Sequence, residues 1–214
     1  MYLQPETLDY TRREPYGVVG AIIPWNAPLV LAALKVAPAL MTGNTMVLKA
    51  SEEAPLAVLA MSKICADHLP AGVLNTITGY GAECGAAIAE HPMIPKISFT
   101  GSTAVGRSIL AAASQRVAAV TLELGGKSAQ IVFPDVDCDF VTEGVITAMR
   151  FSRQGQSCTA GSRLFVHESI ADRLIDRLSS RLKGMRVGDP LDESSDAGSL
   201  VNEKQFRRVC GFVQ

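Results

Sequence analysis

The stretch Lys96–Leu110, "KISFTGSTAVGRSIL", carries the fold in miniature. Residues 96–100 are a short apolar run of strand length, Gly101 and Ser102 punctuate it, and from 104 to 114 the apolar residues fall at helical spacing. The same strand–helix rhythm runs outward in both directions. Strands are expected at 17–23 ("GVVGAII"), 45–50, 73–78, 118–124, 129–133 and 163–168. Helices are expected at 28–41, 52–69, 82–90, 138–152, 169–184 and 197–213. Gly43-Asn44 reads as the stop of the first helix, and Ser51 as the N-cap of the second. Strands that are apolar throughout, alternating with helices, predict an α/β protein with a parallel sheet covered on both faces. No internal repeat or low-complexity linker interrupts the pattern, and 187–200 is its most loop-like stretch.

Composition narrows the function. The 214 residues are 48% hydrophobic and 19% charged, with a net charge of −1. No basic stripe is present to hold a phosphodiester backbone, so no nucleic-acid partner is expected. The longest apolar stretch, 27–41, is interrupted by Lys35 and Pro38, which argues against a membrane span. The leading residues, 1–15, have no hydrophobic core of a signal peptide, so a soluble, cytoplasmic chain is expected. The five cysteines (65, 84, 138, 158, 210) form no CxxC pair, and His68, His91 and His167 are isolated, so neither a disulfide framework nor a metal site is expected.

Four local features carry chemistry, each with a plain alternative. The turn Gly101–Gly106 before a helix suits a phosphate, through unpaired N–H groups and the positive end of the dipole. Its G-x-x-x-x-G spacing is neither the Rossmann nor the P-loop fingerprint, and an ordinary tight turn explains it equally. In "MVLKASEEAP" (46–55), Glu52 stands where an acid bonds adenine ribose in dinucleotide-binding sheets, with Lys49 beside it. A glutamate stabilised by a helix N-terminus is the alternative. Glu123 in "VTLELGGKSAQIV" (120–132) reads as a carboxylate wrapped in apolar strand residues, either a general base or half of a buried ion pair with Lys127. Asn26, in "AIIPWNAPL" (21–29), offers an amide to an oxyanion, but on this stretch alone an N-cap of the following helix is favoured.

Cys158 lies in "RQGQSCTAG" (153–161), among polar residues and glycines. A structural cysteine normally sits among apolar neighbours. Small neighbours leave this sulfur reachable and bring backbone N–H groups near it, conditions that favour a nucleophilic thiolate. A lone cysteine in a polar loop is more often inert, so the weight comes from its company.

Taken in order, "PWNAPL", "VLKASEEAP", "SFTGSTAVGRSI", "LELGGKSAQIV" and "GQSCTAGSRLFVHESI" resemble the aldehyde dehydrogenase superfamily from about Tyr16 almost to the C-terminus. The resemblance implies a Rossmann-like cofactor domain over 1–124 and part of an α/β catalytic domain over 125–214, joined near Gly125-Gly126. It implies Cys158 as the thiol that attacks the aldehyde, Asn26 and the Cys158 N–H as oxyanion donors, and Glu123 as the base that activates water on the thioester. It implies Lys49 and Glu52 on the adenine ribose, and Ser102 on the pyrophosphate beside Gly101, Val105 and Gly106. Ile22, Pro24, Trp25, Gly81 and Leu124 match positions that line the cofactor, and Phe151, Ser157 and Thr159 match the substrate tunnel. The expected cofactor is NAD, with NADP the alternative, and the expected substrate a small aldehyde oxidised to its acid. Family members extend further at both ends, so a central fragment of a homo-oligomeric enzyme is expected, with a non-catalytic remnant or a cofactor-independent thiol esterase as rivals.

Overall fold

The computed structural model describes residues 7–136 and 138–213; residues 1–6 of the leading segment, read above for a signal peptide, lie outside them. The chain forms two compact units. The first runs through Thr100 and includes Ala104–Leu122, and the second holds Gly101–Thr103 and everything from Glu123.

The five-stranded sheet is built on β1 (Val18–Ile22), β2 (Thr45–Lys49), β3 (Leu74–Ile77), β4 (Lys96–Gly101) and β5 (Ala119–Leu124), which lie in the first unit except for Gly101 at the end of β4 and Glu123 and Leu124 at the end of β5. Their order in the sheet is β3-β2-β1-β4-β5. The pairs β1–β2, β1–β4 and β2–β3 are all parallel. The connecting helices are α1 (Pro28–Met41), α2 (Leu56–Ala66), α3 (Ala86–Glu90, continuing a π-helical turn over Gly81–Gly85) and α4 (Thr103–Ser114). Alternate residues of β1 serve opposite faces. Val19 and Ala21 join Ala32 and Val36 of α1, Val58 of α2, and Met46 and Leu48 of β2 in one buried cluster. Gly20 points the other way, where a Cβ would come within 2.5 Å of Ile88 of α3. Glycine there lets α3 sit against the strand, and the sheet is covered on both faces as expected. Met46 and Leu48 are 1% and 0% exposed. Such side chains contribute about 1.5–3 kcal/mol each by leaving water.

The second unit pairs β6 (Ala129–Val132) with β7 (Arg163–Val166) in parallel, and adds α5 (Cys138–Met149), α6 (Ala171–Lys183) and α7 (Glu203–Val213). Val132, Val145, Ile170 and Leu174 form its core. The expectation of strands buried on both faces is corrected here: Ile131 and Phe165 are 68% and 52% exposed, while Val132 and Leu174 are covered. Only alternate residues of these two short strands meet the helices, so one face is open.

Two helix starts also differ from expectation. Helix α2 begins at Leu56 rather than 52, with Pro55 as its cap residue. The residue before a proline is disfavoured in the α region, which favours a helix start after Ala54-Pro55, although α1 accommodates Pro38 in its interior. Ser51 Oγ instead accepts the Glu53 N–H (3.3 Å) within a turn. Helix α7 begins at Glu203 rather than 197, with Asn202 Oδ1 accepting the Gln205 N–H at 2.9 Å.

The end of α4 carries a testable strain. The Ala118 N–H reaches back to Ala113 O (3.1 Å), which forces Val117 to φ +56°. A β-branched residue in that left-handed region costs about 1–2 kcal/mol, and the 92% exposed Val117 side chain makes no compensating burial. Val117→Gly is therefore expected to stabilise the chain by about 1 kcal/mol, read as a higher urea midpoint at unchanged m-value. A lower midpoint would contradict this reading of the turn.

Candidate active site

Parallel register places the ends of four strands in one row. Ile22 of β1 is opposite Lys49 of β2 and Phe99 of β4, and Lys49 is opposite Ile77 of β3. The segments that follow these strands therefore all leave from one edge. From β1 the chain steps outward to β2 and β3, then returns to β4 on the other side of β1. Such a reversal opens a crevice at the carboxyl ends of the strands, the usual ligand position in open α/β sheets.

Pro24, Trp25 and Asn26 leave β1 at this edge, all half-buried, while Ile22 is buried in the strand. The expectation that Asn26 caps α1 is corrected. The cap residue is Ala27, at φ −154°, and no side chain caps the helix. Pro28 at the first helical position fixes that start, because its ring sets φ and it has no N–H to satisfy. Asn26 is thus displaced from the helix end.

At the end of β2, Lys49 Nζ donates to Glu52 Oε2 at 2.7 Å. Lys49 is 3% exposed and Glu52 38%. Partial burial pushes the Glu52 carboxyl up, but it is outweighed by the Lys49 hydrogen bond, the Glu52 N–H, the Lys49 charge and the Gly81 N–H, which together hold it below its ordinary 4.5. The fold thus brings Lys49, Glu52 and Gly81 together, three residues predicted separately. At the end of β4, Gly101 closes the strand and Ser102 alone separates it from α4. Val105 is 49% exposed, and Gly106 is buried. The Thr100 hydroxyl is buried with no hydrogen-bond partner among the described residues. A lysine and a carboxylate at β2, with a buried hydroxyl at β4, are a donor and acceptor set of the kind that suits the hydroxyls of a ribose.

In the second unit Cys158 occupies a turn, and its thiol is exposed. The turn follows a backbone forced into the left-handed region at Arg150 (φ +61°), Gln154 (φ +54°) and Gly155 (φ +67°). Its entrance is tied where the Val201 N–H meets Gln156 Oε1 at 3.0 Å. Its exit is tied where the Gly161 N–H meets Ala148 O at 3.0 Å and Gln130 Nε2 donates to Gly161 O at 2.6 Å. Ser157 and Thr159 flank the thiol with hydroxyls 3.1 Å apart.

The expectation of a buried Glu123 is corrected: the residue is exposed in β5, next to half-buried Leu122 and Leu124. β5 is an edge strand, and its Thr121, Leu122, Glu123 and Leu124 alternate outward and inward. A run that reads as uniformly apolar around Glu123 in fact presents it outward. Past Glu123, the two glycines bring the chain beside the thiol's own backbone: a Cβ on Gly126 would lie 3.8 Å from Cys158 O. Arg163 closes this contact, its N–H on Ser128 O (3.2 Å) and its Nε on Lys127 O (2.8 Å). Sequence reading missed Gln130 and Arg163, because a side chain bonded to backbone more than thirty positions away leaves no local pattern; it missed Thr100 because burial of one hydroxyl at a strand end has no local signature either.

Among the described residues no cluster of His, Cys, Asp and Glu is placed to hold a metal ion, and no helix is long and apolar enough to cross a membrane.

The chain belongs to the aldehyde dehydrogenase family, whose model matches residues 1–214. It is similar to betaine aldehyde dehydrogenase 1 of Oryza sativa subsp. japonica, with 51% identity over 206 residues, 96% of this chain and 41% of the relative. Among solved structures it resembles the NAD+ complex of aldehyde dehydrogenase from Bacillus cereus (TM-score 0.92, 41% identity, 94% of this chain and 41% of that one). It also resembles a mutant of aldehyde dehydrogenase C from Pseudomonas syringae complexed with NAD+ and octanal (TM-score 0.90, 42% identity, 94% of this chain and 41% of that one). The chain thus spans about two fifths of the length of the relatives it matches.

The Lys49–Glu52 pair makes acid stability testable. A carboxyl held below 4.5 contributes stability that is present above that value and lost as pH falls through its lower folded pKa. Glu52 is more than a third exposed, so its share is that of a screened pair, about 0–1 kcal/mol. Glu52→Gln is expected to flatten the fall in urea midpoint between about pH 5 and about pH 3. An acid limb as steep as that of the parent chain would count against the pairing.

Proposed function

We propose that this chain carries the cofactor-binding and nucleophilic machinery of an aldehyde dehydrogenase that oxidises a small aldehyde to a carboxylic acid with NAD. The observation that carries the reading is the exposed Cys158 thiol in a turn held against the Gly125-Gly126 segment that leads from Glu123. Family membership and the NAD+ complexes of similar proteins support it.

Lys49 and Glu52 hold the adenine ribose. The acid disfavours a 2′-phosphate by repulsion, which selects NAD over NADP. Ser102 bonds the pyrophosphate, with Gly101, Val105 and Gly106 shaping the approach to the first turn of α4. Ile22, Pro24, Trp25, Gly81 and Leu124 line the remainder. The cofactor domain extends to about Leu124, and the catalytic domain begins at the two glycines.

The Cys158 thiolate adds to the aldehyde carbon, forming a C–S bond and moving the carbonyl electron pair onto oxygen. Asn26 Nδ2 and the Cys158 N–H stabilise that oxyanion. When bound, NAD+ supplies the hydride acceptor that turns the adduct into a thioester. Glu123 then takes a proton from water as the water oxygen attacks the thioester carbon. The C–S bond breaks, and the acid leaves as the thiolate is restored.

The test is transient kinetics of the chain with NAD+ and a panel of aliphatic aldehydes. Cys158→Ala is expected to abolish both reduced cofactor and the acyl adduct seen by mass spectrometry at residue 158. Glu123→Gln is expected to leave the first turnover of hydride nearly intact and to slow acid release by roughly a hundredfold, the scale of a general base. Acid release at the parent rate in Glu123→Gln would remove Glu123 from the mechanism. NAD binding with no turnover in the parent chain would favour a nucleotide-binding remnant.

A further inference from the structure

Two glycines between Glu123 and Lys127 leave the path of that segment loosely determined by its own sequence. Something must hold it against the Cys158 turn. At Arg163, five residues beyond the thiol, the backbone N–H donates to Ser128 O (3.2 Å) and the side-chain Nε donates to the preceding carbonyl, Lys127 O (2.8 Å), so the second bond is the one the side chain adds. The guanidinium lies over Phe165, 5.6 Å from the ring centroid, a second contact that favours this placement of the side chain. Gln130, on the paired strand, returns the connection by donating to Gly161 O at 2.6 Å, between Cys158 and Arg163. The turn that carries the thiol and the segment that leads from the carboxylate are thereby clasped from both sides.

We propose that Arg163, assisted by Gln130, is a positioning residue that sets the spacing of Cys158 and Glu123. The proposal rests on the roles of those two residues given above. The Arg163 side chain acts on backbone, through Nε on Lys127 O. The bond to Lys127 O is exposed, so its loss changes local geometry more than global stability. Lysine keeps the charge and one donor but not the planar geometry, so Arg163→Lys is a partial replacement.

The experiment compares the parent chain with Arg163→Met, Arg163→Lys and Gln130→Met by amide hydrogen exchange and by cofactor-free hydrolysis of p-nitrophenyl acetate. In Arg163→Met and Gln130→Met, amides of 125–128 and 157–162 are expected to exchange roughly fivefold or more faster, with α6 and strands β1 and β2 unchanged. Acetylation of Cys158 is expected at the parent rate, while acetate release falls by roughly fivefold or more and recovers in part in Arg163→Lys. Parent-like exchange in both segments overturns the proposal. So does acceleration throughout the second unit, which marks a merely structural residue. A parent chain that forms no acetyl-Cys158 contradicts the nucleophile assignment instead, and the exchange pattern still decides the clasp.

Discussion

Parallel pairing in register is the constraint from which the candidate site follows. Residues of β1 and β2 are buried on both sides of the sheet, so a slip of one residue would turn Val19, Ala21, Met46 and Leu48 out of their cluster. Register is thereby fixed, and with it the alignment of Ile22, Lys49, Ile77 and Phe99. Every polar group assigned to the cofactor in the first unit sits on a segment launched from that row. Lys49 is held at 3% exposure by the sheet around it, and its charge is met by Glu52 three residues on. The polar edge is a consequence of the apolar core beneath it.

The second unit solves a different problem, that of keeping a thiol accessible and still. Cys158 is exposed, so burial does not limit its motion. Order comes instead from backbone bonds at the two ends of the turn and from three residues at positive φ just before it. At the two non-glycine positions, Arg150 and Gln154, such conformations cost of order 1–3 kcal/mol each and persist where surrounding contacts over-determine them. Here those contacts include the side chains of Gln130 and Gln156, both aimed at main chain.

Much of this was legible in the amino-acid order. Helix α1 spans the predicted 28–41, because Pro28 and Gly43 punctuate it on either side. The strands fall within one or two residues of expectation, since short runs rich in Val and Ile have few alternatives in an alternating pattern. What was not legible depends on neighbours distant in sequence. "TLEL" looks buried until β5 is seen to be an edge strand, and the "AQIV" of β6 looks enclosed until one face proves open. The early start expected for α2 fails for a local reason, Pro55, which stands at the cap position. Lys35 interrupts an apolar helix in sequence, yet in the fold it is buried and bonded to Ser98 of β4 at 2.8 Å.

The most direct test of the carboxyl edge as the dinucleotide site uses the single tryptophan of the chain, Trp25, which leaves β1 at that edge. Titration with NADH, with excitation selective for tryptophan, is expected to quench Trp25 emission and to sensitise emission from the dihydronicotinamide, with the same midpoint as calorimetric binding. Calorimetric binding that leaves Trp25 emission unchanged would place the cofactor elsewhere on the molecule.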